Sequence, residues 1–118
     1  MDDVLVERVL RAVEQVPSGR VVCYGDIAEL VGVGPRLVGR VMSQWGGEVT
    51  WWRVTNRSGD LPPELLARAH EHWHQEGIAL RRNGSGCSFV AHRADLERLA
   101  DDYARATADL DPAGDAAG

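Results

Sequence analysis

The feature that most narrows the fold is the break Gly32-Val33-Gly34-Pro35. Upstream of it, Tyr24 to Val31 reads as a short helix with Ile27, Leu30 and Val31 apolar. Gly32 lies where a left-handed residue closes a helix. Pro35 suits the first position of the next one. That next helix runs from Pro35 to about Ser43, with Leu37, Val38, Val41 and Met42 available to a core. Two short helices joined by a tight glycine turn are the signature of a helix-turn-helix. Arg36 and Arg40 stand one turn apart on the second helix, with Gly39 between them. A mid-helix glycine costs about 1 kcal/mol relative to alanine. The helix has a use for it if a backbone or a phosphate must approach closely.

The flanks extend this unit. Residues 3–15 carry Val6, Val9, Leu10 and Val13 at helical spacing, and Pro17-Ser18-Gly19 ends that run. Val49–Thr55 reads as a strand, rich in Val, Thr and Trp. The turn Asn56-Arg57-Ser58-Gly59 follows, then a helix from Pro62 to Glu76 with Leu65, Leu66, Ala69 and Trp73 as its stripe. Ile78–Arg82 and Cys87–His92 are expected to form a β-hairpin around Asn83-Gly84-Ser85-Gly86. A last helix is expected over Asp95–Ala106, and disorder over 107–118. The predicted class is α/β, mostly α: a winged-helix-like DNA-binding domain with a helix-turn-helix and a small β-hairpin. Its expected extent is residues 1–93, with 94–118 an acidic C-terminal extension.

Net charge is −5, which at first argues against nucleic acid. Its distribution removes the objection. Residues 1–93 hold 11 Arg and 11 Asp/Glu, and residues 94–118 hold 2 Arg and 7 Asp/Glu. The acidity belongs to the tail. Every basic residue is Arg, the side chain best suited to planar, bidentate contacts, although coding bias accounts for that as readily. No apolar run approaches the roughly 18 residues that cross a bilayer. The acidic start lacks the apolar core of a secretory signal. Cys23 and Cys87 form no metal or disulfide pattern. A cytoplasmic, nucleoid-associated monomer without cofactor or metal is expected.

Half of the four tryptophans sit side by side in Val49-Thr50-Trp51-Trp52-Arg53-Val54. They are either core or the wall of a site. Together with Tyr24-Gly25-Asp26-Ile27-Ala28 and Arg36-Leu37-Val38-Gly39, this stretch resembles the DNA-binding domain of O6-alkylguanine-DNA alkyltransferases. That family has a tyrosine opening the first helix of the motif, an Arg-x-Val-Gly run on the recognition helix, and a Pro-Cys-His-Arg-Val active site. Aligned on Arg53-Val54, Thr50 replaces Pro, Trp51 replaces the alkyl-accepting Cys and Trp52 replaces His. Trp for Cys marks the alkyltransferase-like branch. The resemblance spans about residues 4–92. Trp52 departs even from that branch, which keeps His there. Cys23 stands where Ser or Thr commonly caps the helix, and a thiol is a weak acceptor.

The resemblance implies a function that follows from the substitution. Dealkylation needs a thiolate and a base to activate it. Indole is only a hydrogen-bond donor. No transfer of alkyl groups is expected, and what remains is binding of double-stranded DNA carrying O6-alkylguanine. By resemblance the recognition helix enters the minor groove. Arg36 replaces an extruded guanine, and Tyr24 presses on the neighbouring phosphate. Gly39 and Arg40 complete the DNA-binding set. The flipped base would meet a pocket of Tyr24, Trp51, Arg53 and Val54, with Arg53 orienting the loop or touching phosphate. Nucleotide excision repair proteins are the implied recipients of the lesion.

Plainer readings stand beside these. An isolated tyrosine at a helix start is often a packing residue, and an isolated arginine a solvated charge. Trp52, expected to point away from Trp51 on a strand, reads as core or rim. A sequence-specific winged-helix transcription factor would share the helix-turn-helix. His70-Glu71-His72-Trp73-His74 matches H-E-x-x-H, with His70 and His74 on one helical face and Glu71 as base of a zinc metalloprotease. It lacks a recognisably spaced third ligand. The tail is either a solvated extension, a docking segment, or a brake on DNA binding.

Overall fold

The computed structural model describes residues 2–110. Asp2 caps the first helix, α1 (Asp3–Glu14), by accepting from the Val4 amide at 2.9 Å. A two-residue strand, β1 (Val22–Cys23), runs straight into α2 (Tyr24–Val31). The firm half of the cap on α2 is Asp26, whose carboxylate accepts from the Cys23 amide at 3.1 Å. It compensates for the weak thiol. Gly32 closes α2 in the left-handed region (φ 89°), with its amide on Ala28 O at 2.8 Å. Pro35 then opens α3 (Pro35–Trp45), which runs two residues beyond Ser43.

α1, α2 and α3 enclose one core, built around Val9, Val13, Ile27, Val38 and Val41, all fully buried. A second, smaller core lies against it. There α4 (Pro63–Glu76) buries Trp73 and Ala69 beside Leu61, Ile78, Cys87 and Trp51. β2 (Val54–Thr55) joins the two cores by pairing in parallel with β1, Val22 opposite Val54 and Cys23 opposite Thr55. Parallel strands need a long crossover, and α2 with α3 provides it.

Three expectations are corrected. First, most of Val49–Thr55 is not a strand. Trp51–Arg53 is a single 3-10 turn, and only Val54 and Thr55 are extended. A strand would throw adjacent side chains to opposite faces, whereas a 3-10 turn separates them by about 120°. Both indoles therefore reach α4. Trp52 stacks on His72 with centroids 3.6 Å apart, and Trp51 meets the same imidazole edge-on at 5.7 Å.

Second, the hairpin reduces to one bridge, Leu80 with Cys87. Two backbone bonds flank it, Arg81 to Gly86 O and Ser88 to Ala79 O, both 2.8 Å. The Cys87 amide, on the outer side, donates to Gly59 O at 2.9 Å, and the chain turns helical at α5 (Phe89–His92) to bury Phe89. Gly59 has φ 83°, and a Cβ on it would lie 2.3 Å from Cys87 O. This backbone-to-backbone approach holds the outer edge of the short hairpin against the Asn56–Gly59 turn.

Third, the domain does not end at residue 93. Asp95 caps α6 (Leu96–Ala106), whose Leu99 and Tyr103 are buried in the first core with Ala94. The end of α6 is tied to α1. Arg11 donates to Ala106 O at 3.0 Å and pairs with Asp109 at 2.6 Å, and Arg8 donates to Leu110 O at 2.5 Å. The expected disorder fails for residues 107–110, where Thr107 is buried and Ala108–Leu110 form a 3-10 turn. Residues 111–118 lie outside the described residues. None of the described helices is long and apolar enough to cross a membrane.

Candidate nucleic-acid interface

Where α3 passes the Trp51 turn and the start of α4, it leaves a cleft of about 320 Å³. Tyr24 sits at its edge as the first residue of α2, half-buried, and burial raises its phenol pKa. α3 contributes Gly39, Met42 and Ser43. The opposite wall is Trp51, Leu61, Pro62 and Leu65, with Glu64 also lining it and the Arg68 guanidinium 5.5 Å over the Trp51 ring. Trp51 is 9% exposed. It is thus both a member of the second core and a wall of the cleft.

Arg36 and Arg40 project from the exposed side of α3, outside the cleft. Neither makes an ion pair among the described residues. Gly39 lies between them on the cleft side. A Cβ built on it meets nothing within 4 Å, so internal packing does not require glycine. Gly39→Ala is therefore expected to stabilise the isolated chain by about 0.5–1 kcal/mol. If the open space is where a ligand backbone sits, DNA affinity falls at the same time. Thermal melts and a DNA titration on one preparation check both signs.

Two expected pocket residues are elsewhere. Val54 is fully buried in the first core and lines nothing. Arg53 points away from the cleft. Its guanidinium forks onto Glu76, at 2.7 Å from Nη2 and 3.0 Å from Nε, and also donates to Val16 O at 2.9 Å. Both side chains are mostly buried. Arg53 therefore ties the Trp51–Arg53 turn to α4 through Glu76 and to Val16, just beyond α1.

Glu76 is the residue that sequence reasoning missed. Its carboxylate accepts from Trp52 Nε1 at 2.8 Å, from the Gly19 amide at 3.0 Å, and from Arg53. Burial raises its pKa, but Arg53, the Gly19 amide and the Trp52 indole outweigh that and hold it below the ordinary value. One signal was available. A carboxylate in the last turn of a helix faces the negative end of the dipole, so it calls for a cation. Trp73 adds a second tie, its Nε1 donating to Trp52 O at 2.7 Å. The Trp51-Trp52-Arg53 turn is thus bolted to α4 by three side chains.

The H-E-x-x-H residues are spread over other tasks. His70 Nε2 lies 2.7 Å from Ser85 O, His72 stacks on Trp52, and His74 is exposed. Among the described residues, no group of three or more His, Cys, Asp or Glu is placed to hold a metal ion.

A helix-turn-helix beside an aromatic cleft, on a mostly helical frame with one short sheet, has the architecture of a DNA-binding module. The family model for the 6-O-methylguanine DNA methyltransferase DNA-binding domain matches residues 5–85, and the chain belongs to that family. Among its relatives is the DNA base-flipping protein of Escherichia coli (strain K12), 33% identical over 108 residues, which cover 86% of this chain and 78% of the relative. The DNA base-flipping protein of Vibrio parahaemolyticus is 32% identical over 90 residues, 71% of this chain and 89% of its own length. The fold is similar to the crystal structure of S. pombe Atl1 in complex with damaged DNA containing O6-carboxymethylguanine. The TM-score is 0.67 at 24% identity, over 80% of this chain and 98% of that one.

Proposed function

We propose that this chain is a non-enzymatic sensor of O6-alkylguanine in duplex DNA. The observation that carries the reading is the cleft itself, walled by the Trp51 indole; by the sequence resemblance, Trp51 takes the position of the alkyltransferases' reactive thiol. The recognition helix α3 lies in the minor groove. Arg36 fills the gap left by the extruded nucleotide, Arg40 holds phosphate, and Gly39 lets the backbone come close. Tyr24 presses on the adjacent phosphate. The base enters between Trp51 and the Gly39 edge of α3. Flipping costs a few kcal/mol, least at a damaged pair, and stacking on an aromatic face returns about 1–3 kcal/mol. An apolar wall with no attacking atom to align accepts alkyl groups of several sizes. The lesion is then held for nucleotide excision repair proteins. The base-flipping names of the relatives and the lesion DNA bound to Atl1 support this reading.

The chemistry supports it too. Cys23 is 2% exposed, Cys87 is fully buried, and neither lines the cleft. Burial pushes the Cys87 thiol up to about 11, far from a thiolate at neutral pH. Incubation with DNA bearing isotopically labelled O6-methylguanine should leave the protein mass unchanged. Label on Cys23 or Cys87 would make it an alkyltransferase after all. A transcription factor is distinguished by randomising the flanking sequence. Affinity for the lesion should survive, and a transcription factor would lose its site.

A further inference from the structure

A second groove lies between α2 and α6, about 390 Å³ in volume. Its floor is apolar: Leu30 from α2, and Leu96, Leu99 and Ala100 from α6. Leu96 is 37% exposed. Glu29 and Glu97 line it from the two helices, both exposed and neither in an ion pair among the described residues. Asp26 also borders it and is held by Arg93 at 2.5 Å. Among the described residues no other charged side chain lines it, and the nearest cation, Arg93 on Asp26, lies within Coulombic reach of Glu29.

The groove does not share the face that carries Tyr24. At about 100° per residue, Asp26, Glu29 and Leu30 lie about 140–240° round α2 from Tyr24. Phosphate is excluded from it by like charge. So is the end of this chain, whose charged residues beyond 110 are Asp111 and Asp115. What fits is the opposite: an apolar side chain for the floor, with cations beside it for Glu29 and Glu97.

We propose that the α2–α6 groove docks a basic, amphipathic helical segment of a partner protein, on a surface left free when DNA occupies α3. This deepens the sensor reading and rests on it only for the partner's purpose, since it gives the recruited protein a handle away from the lesion. It also gives α6 a function beyond covering the core.

The test uses the full chain and a synthetic helical peptide with a leucine stripe flanked by arginines. A control peptide carries glutamates in place of the arginines. Amide shift mapping should place the arginine peptide on Glu29, Leu30, Leu96, Glu97 and Ala100. The double variant Glu29→Arg, Glu97→Arg should weaken it about tenfold, since each reversal turns an attraction into a repulsion. Leu96→Gln should weaken it about fivefold through lost apolar burial. Both variants should keep the folded amide spectrum and the affinity for DNA with O6-methylguanine, and saturating lesion DNA should leave peptide binding intact. Equal binding of the glutamate peptide, shifts centred on the Trp51 cleft, no response to the variants, or displacement of the peptide by DNA would each overturn the proposal. Peptide docking without any lesion preference would instead sink the sensor reading and leave the docking surface standing.

Discussion

Glu76→Ala is expected to lower stability by about 3 kcal/mol, because removing one partner of a buried ion pair leaves the other charge uncompensated. Arg53 would keep only Val16 O, and the Trp52 indole and Gly19 amide would each lose their acceptor. For a domain of this size the loss corresponds to roughly 12 °C or more in Tm. Thermal unfolding followed by circular dichroism reads it directly. A shift of only a degree or two would mean that Glu76 is a surface carboxylate in solution. The same pair sets a pH dependence. The carboxyl pKa of Glu76 is lower in the folded chain than in the unfolded one. Its contribution is therefore complete above the unfolded value and is lost as pH falls through the folded value. Asp26 has the same sign. Its burial opposes ionisation, but Arg93 and the Cys23 amide win and depress its pKa. Stability should hold from neutral pH to about 5 and then fall through the carboxylate range. Glu76→Gln should flatten part of that fall.

Arg36→Ala is expected to weaken binding to damaged and undamaged duplexes alike, by about 1–3 kcal/mol or roughly 5- to 150-fold. On the proposed reading, the lost contact is the one that fills the stack once a nucleotide is flipped, whether the flipped base is damaged or not. Arg40→Ala should behave differently. A phosphate contact is lost evenly and the slope of log K against log salt shrinks by about one. If both variants change only the salt slope, Arg36 is an ordinary phosphate contact and no residue fills the stack. Trp51→Ala should act on the lesion preference itself, with some loss of stability, since Trp51 is also part of the second core.

The helix-turn-helix was legible because its determinants are local. Gly32 must take a left-handed conformation and Pro35 must start a helix, and both conditions are met within a few residues. α1, α4 and α6 were legible from apolar spacing. Of the cleft's lining, Tyr24 and Trp51 were reached as pocket residues through motif order, and Gly39 as a DNA contact. The rest of the Trp51 wall was not. Leu61, Leu65 and Arg68 meet Trp51 only because α4 folds back across the turn, and nothing local announces that contact. Arg53 was placed in the pocket by the family resemblance, and a strand, which puts residues 51 and 53 on one face, would have allowed it. The 3-10 turn rotates it onto Glu76 instead. The hairpin failed for a similar reason. Alternating apolar residues at Ile78–Arg82 and Cys87–His92 fit a strand pair, but the chain turns helical at Phe89, which is buried, so the pairing stops after the bonds from Arg81 to Gly86 O and from Ser88 to Ala79 O. The tail was judged by its charge, while Leu99 and Tyr103, spaced for one buried face, decided where it lies.

Trp52 was the residue least explained by the resemblance. It now has a place, stacked on His72 and bonded to Glu76, behind Trp51 rather than in the cleft. It braces the wall that the base would meet.

The most direct measurement is a titration, at one fixed low salt concentration, of two duplexes identical in sequence except for a single O6-methylguanine. The expected result is roughly tenfold tighter binding to the damaged duplex, in line with the stacking gained on one aromatic face, and a gap that narrows with Trp51→Ala. Equal affinities for the two duplexes would contradict lesion recognition by this cleft.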